Sequence, residues 1–101
     1  MEIPINNDRT IQDIQQDFAH HFPYLKLEFF FSPHRKNQLP AAKNMIPANR
    51  KIGTIRRRDQ SGNLVIDDRI TVFQMEEKLD KDFGLFGQVF RRSGNLWLAG
   101  G

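Results

Sequence analysis

The chain matches itself when it is slid by 61 residues: Ile3-Pro4-Ile5-Asn6-Asn7 falls on Leu64-Val65-Ile66-Asp67-Asp68, and the register then holds without a gap for more than twenty residues. Thr10-Ile11 meets Thr71-Val72, Ile14 meets Met75, Phe18 meets Leu79, Phe22 meets Phe83, Leu25 meets Phe86 and Phe29 meets Phe90. Order, spacing and apolar type are kept together, so the fold must be one that uses the same unit twice.

Each copy reads as strand, helix, strand. Thr10 and Thr71 have the side chain of an N-cap; Gln74, three residues after Thr71, completes a capping-box pattern, and Asp13 brings negative charge to the first turn of the other helix. Ile11, Ile14, Phe18 and Phe22 recur at spacings of three and four, as do Val72, Met75, Leu79 and Phe83, which gives each helix one apolar stripe. Pro23 and Gly84 stand at equivalent positions just beyond the stripes, where a helix has to stop. Strands are expected over Tyr24 to Phe31 and over Phe86 to Arg92, with Ser93-Gly94-Asn95 turning a last hairpin into Leu96-Trp97-Leu98. Residues 32–49 contain three prolines and read as an exposed loop. Lys51 to Arg57 reads as an additional strand, joined through Asp59-Gln60-Ser61-Gly62 to a strand over Leu64 to Asp67.

Two such units bury their one-sided helices most simply in an α+β two-layer sandwich, with both helices on one face of a shared mixed sheet. The arrangement expected is ferredoxin-like or β-grasp-like, since a hairpin followed by a Thr-capped helix and a strand also fits the second. With 101 residues, one domain is expected, its repeat halves spanning about 2–31 and 63–92.

Nine phenylalanines support a packed core, and the absence of cysteine excludes disulfides, thiolate metal sites and a cysteine nucleophile. The first residues lack a signal-peptide pattern and no stretch has the length of a membrane span, so a cytoplasmic address without membrane association is expected. His20, His21 and His34 have no partner at a metal-binding or catalytic spacing, and Glu76, Glu77, Asp80 and Asp82 read as a solvated helix face. No enzyme, cofactor or metal is expected.

Two features point to function. The formal charge is +3, and Arg56, Arg57, Arg58, Arg91 and Arg92 lie on segments that could be neighbours, a basic sheet face suited to nucleic acid. The final residues are Gly100-Gly101, a pair without β-carbons able to thread an enzyme channel and to offer an open carboxylate.

The stretch Gln88-Val89-Phe90-Arg91-Arg92-Ser93-Gly94-Asn95-Leu96-Trp97-Leu98, with the helix before it, resembles a family of small bacterial α+β proteins marked by a Val-Phe-Arg-x-Ser-Gly-Asn-x-Trp-Leu hairpin. That resemblance implies a compact fold and no particular activity, and the chain departs from the family's pattern after the tryptophan, at Ala99-Gly100-Gly101. The terminal pair is similar to that of bacterial ubiquitin-like modifiers. This second resemblance implies a non-enzymatic modifier activated at Gly101, with Gly100 as its flexible neighbour. Its partners would be an activating enzyme, a conjugating enzyme, an isopeptidase and a protein target. If the last strand ends at Leu98, the free tail reaches only about 10 Å. The alternative expectation is a binding or scaffold module, for nucleic acid through the arginines.

Overall fold

A computed structural model describes residues 1–33, 42–56 and 60–99. The elements run β1 (Glu2–Ile5), α1 (Ile11–His21), β2 (Leu25–Phe30), β3 (Gly62–Val65), α2 (Val72–Phe83), β4 (Phe86–Ser93) and β5 (Leu96–Ala99), with 3-10 turns at Ala42–Asn44 and Ile52–Thr54 between β2 and β3.

Both helices begin with a reciprocal capping box. Thr71 Oγ1 accepts from the Gln74 amide at 3.0 Å while Gln74 Oε1 accepts from the Thr71 amide at 3.0 Å. Asp13 does the same for α1, its carboxylate accepting from the Thr10 amide at 2.9 Å, so it closes a box as well as supplying charge. Three residues of each expected stripe are buried, Ile11, Ile14 and Phe18 on α1 and Met75, Leu79 and Phe83 on α2, while Phe22, the C-cap of α1, and Val72, the first residue of α2, are half-buried against the same core. α2 ends on Gly84 in the left-handed region, at φ 68°, whereas α1 ends at Phe22, directly before Pro23.

The fold is α+β and compatible with a two-layer sandwich, but the strands part into two antiparallel sheets where one mixed sheet was expected. β1 pairs with β3, and β2-β4-β5 form the second sheet in that order. The repeat explains the division, because each strand pairs with its counterpart in the other unit. Ile3 lies opposite Leu64, its own equivalent, and the pair Glu2–Val65 becomes Pro4–Asn63 when each residue is exchanged for its equivalent. Leu27–Val89 becomes Glu28–Gln88 in the same way, so the register of both ladders survives the exchange. The Met1 ammonium and the Ile66 amide extend the first ladder, donating at 2.9 and 2.8 Å to Ile66 O and Met1 O respectively.

The core is one cluster that joins the two sheets through the helices: Ile3, Ile5 and Leu64 from the first, Leu27, Phe29 and Val89 from the second, with the helix stripes between. Over residues 51–56, the described part of the additional strand expected from Lys51 to Arg57, a 3-10 turn stands where the strand was expected. Ile52 and Ile55 stand three apart, which suits the turn of a 3-10 helix better than the alternation of a strand, and Ile52 is fully buried while the Gly53 amide donates to Asn7 O at 3.1 Å. Among the described residues the segment's one strand-like pairing is an isolated bridge, Lys51 to Thr10. β3 begins at Gly62 and ends at Val65, earlier at both ends than the strand expected over Leu64 to Asp67.

Candidate binding surface

The β4–β5 hairpin exposes several large apolar side chains. Gly94, at φ 61°, makes the two-residue turn possible, and the ladder pairs Ser93 with Leu96, Arg92 with Trp97, Arg91 with Leu98 and Phe90 with Ala99. Cross-strand partners share a face. One face of the sheet holds Leu27, Phe29 and Val89 in the core and continues outward to Arg91, Leu96 and Leu98, which are exposed and which no helix among the described residues covers. The other holds Lys26, Phe90, Arg92 and Trp97, with the Lys26 ammonium 5.0 Å from the Trp97 ring and 5.5 Å from the Phe90 ring. Leu96, Trp97 and Leu98 are 67%, 38% and 39% exposed, three large apolar side chains in succession on an outermost strand. Tyr24, three-quarters exposed, stands beside Arg92 on the other side of β4, its carbonyl accepting from the Arg92 amide at 3.1 Å.

Two half-buried carboxylates belong to this region, one on α2 against the sheet and one on the sheet itself. Glu76, on α2, accepts the Val89 amide at 2.9 Å; burial pushes its carboxyl above the usual range, and the hydrogen bond opposes that push. Glu28, on β2, is likewise raised by burial, against the pull of the Lys26 ammonium and a hydrogen bond from Gln15 Nε2 at 3.1 Å. Among the described residues no three His, Asp or Glu side chains gather as metal ligands would.

The five arginines are placed unequally. Arg91 and Arg92 are exposed on opposite faces of β4, as neighbours in a strand must be. Arg56 lies by the first sheet and acts as a strap, Nη2 donating to Asn7 Oδ1 at 2.5 Å and Nη1 to Gln60 O. Arg57 and Arg58 lie outside the described residues, as do His34, Gly100 and Gly101. Of the aromatics on this sheet and beside it, Phe29 is core; Phe90 and Trp97 stand on the face away from the helices; Phe31 is half exposed, with Arg50 5.9 Å over its ring. An open hollow of about 550 Å³ between Asp67, Arg69, Gln74 and Lys78 carries mixed charge and no distinctive chemistry.

The apolar exposure of Leu96 and Leu98 escaped the reading of the sequence, because alternation reports a period and not which strands have something packed on them. Gly94 and the length of the stripe on α2 against that of β4 were the available signals: the strand outruns its helix. No helix among the described residues is long and apolar enough to cross a membrane. No protein-family model, curated protein or solved structure matches the chain.

Proposed function

We propose that the chain is a non-catalytic binding module that docks another protein on its β4–β5 hairpin. The observation that carries this reading is the run Leu96-Trp97-Leu98, exposed on the outermost strand of the sheet. Isolated apolar residues on a surface are ordinary, whereas here one outermost strand exposes apolar side chains on both of its faces, Leu96 and Leu98 beside Arg91 and Trp97 beside Arg92 and Lys26, a mixture of apolar and cationic groups that suits an interface. Trp and Arg together supply the side chains that most often dominate binding energy.

A photo-reactive residue placed at Leu96, and at Asp82 as a control, tests the reading in the native host. Discrete adducts at Leu96, absent at Asp82 and destroyed by protease, are expected. Adducts destroyed by nuclease would transfer the surface to nucleic acid, and equal labelling at both positions would refute the reading. The modifier expectation rests on Gly100 and Gly101 alone and makes a separate demand: removing Gly101 must abolish any covalent adduct, whereas docking through the hairpin is indifferent to it.

A further inference from the structure

The two edges of the three-stranded sheet are treated differently. On the β2 side, Gln15 Nε2 donates to Leu27 O at 2.8 Å, the Ile46 amide to Phe29 O at 2.8 Å and the Phe31 amide to Asn44 O at 2.9 Å, and Met45 bridges to Phe30. Backbone groups that a stray strand could use are thereby occupied, the usual protection of an edge. Beyond the end of β5, Glu76 takes the Val89 amide in the same manner.

β5 itself is not protected. In a two-residue hairpin the residues flanking the turn form a hydrogen-bonded pair, here Ser93 and Leu96, so Arg91 and Leu98 form the next, and the backbone groups of Trp97 face the outer edge. The Arg92 amide obeys the same alternation, pointing away from β5 to Tyr24 O. Among the described residues nothing pairs with the outer edge of β5.

Resting on the binding-module reading, we infer that this edge receives an extended acidic segment of the partner as an added strand. A residue opposite Trp97 would exchange both backbone bonds with it and lie on the face of Lys26 and Arg92, while its neighbours would lie beside Leu96 and Leu98 on the face of Arg91. From Phe86 to Ala99 the hairpin carries two arginines and no acidic residue, so alternating acidic and apolar side chains complement both faces. A second copy of the chain does not fit this requirement, because its own edge is backed by the same two arginines and brings no acid to them.

The test titrates isotope-labelled protein with peptides of about eight residues, the usual length of a strand or slightly longer: alternating Glu-Val, its Lys-Val counterpart, and Glu-Val with alternate amides N-methylated. Glu-Val is expected to shift the Trp97 and Ala99 amides, to slow hydrogen exchange at Trp97 about ten-fold and to bind about ten-fold tighter than Lys-Val. Trp97→Pro, which among the backbone hydrogen-bonding groups removes only an outward-facing N–H, should lose the response, whereas Trp97→Val, which loses the indole and keeps that N–H, should retain it. Equal binding of the Glu and Lys peptides, or of the N-methylated peptide, overturns the inference even if the proline variant fails to fold. So does a Trp97 amide already protected in a sedimenting dimer without peptide. If no peptide binds while Leu96 still yields protein adducts, strand addition fails and hairpin docking stands; loss of both removes the underlying reading as well.

Discussion

Gly87 lies on β4 where the sheet meets α2, and a β-carbon there would stand 2.7 Å from Leu79 Cδ1 and 3.4 Å from both Leu27 Cδ1 and Phe29 Cε1. Leu79 and Phe29 are fully buried and Leu27 nearly so, which leaves the displaced methyl no solvent to move into. Overpacking of this kind costs about 1–3 kcal/mol. Alanine recovers about 0.5–1 kcal/mol by relieving the entropy cost of a strand glycine. The clash therefore prevails, and Gly87→Ala should destabilise by about 1 kcal/mol, a fall in Tm of about 4–8 °C for a domain of this size. Leu79→Ala should cost about 2–5 kcal/mol through the cavity it leaves. The double variant puts the new methyl into that cavity, so the sum of the single losses should exceed the double by about 0.5–3 kcal/mol. Urea denaturation followed by far-ultraviolet circular dichroism measures all four proteins. Additive losses, or a Gly87→Ala protein more stable than wild type, would refute the packing argument.

Two further expectations follow from local contacts. Thr10→Ala and Thr71→Ala each break a capping box and should cost about 1 kcal/mol in a urea titration, with Ser at either position restoring most of it. Glu28 and Glu76 have folded pKa values raised above an ordinary 4.5, so from there upward the native state holds more protons than the unfolded one and their contribution to stability declines as pH rises. Gln at both positions keeps an acceptor for the Val89 amide and should flatten that decline, read as a urea midpoint in the variant that gains on wild type between pH 4.5 and neutrality; Asp13, lowered by the Thr10 hydrogen bonds, acts oppositely, its contribution being lost as pH falls below 3.8.

What could be read in the sequence was whatever depends on near neighbours. Thr10, Thr71, Pro23 and Gly84 mark helix ends through local backbone chemistry, and the stripes on α1 and α2 report burial by their period alone. Gly94 announced a tight hairpin for the same reason. Lys51 to Arg57 misled because a short segment with two isoleucines can satisfy a turn or a strand, and the choice was made by Asn7, far away in the chain, whose carbonyl takes the Gly53 amide. The division into two sheets was also illegible. The repeat showed which residues are equivalent, but not that equivalent strands would pair with each other. The exposed edge of β5 is still more remote from sequence, since it depends on what the rest of the chain leaves uncovered.

The reciprocal register has a kinetic consequence. Each of the two ladders takes one strand from either unit, so neither unit owns a sheet, and the β4–β5 hairpin is the one ladder that can form between near neighbours among the described strands. Folding must close a loop from β1 to β3 or from β2 to β4 before any other ladder gives stability in return, an entropic barrier that helix formation alone cannot lower. Once either closes in register, the second is brought to the same offset, and its loop has largely been closed already. The two ladders should therefore appear together in a refolding experiment. Severing the covalent connection between the units would turn this closure into an encounter between two molecules, making formation of both sheets depend on concentration.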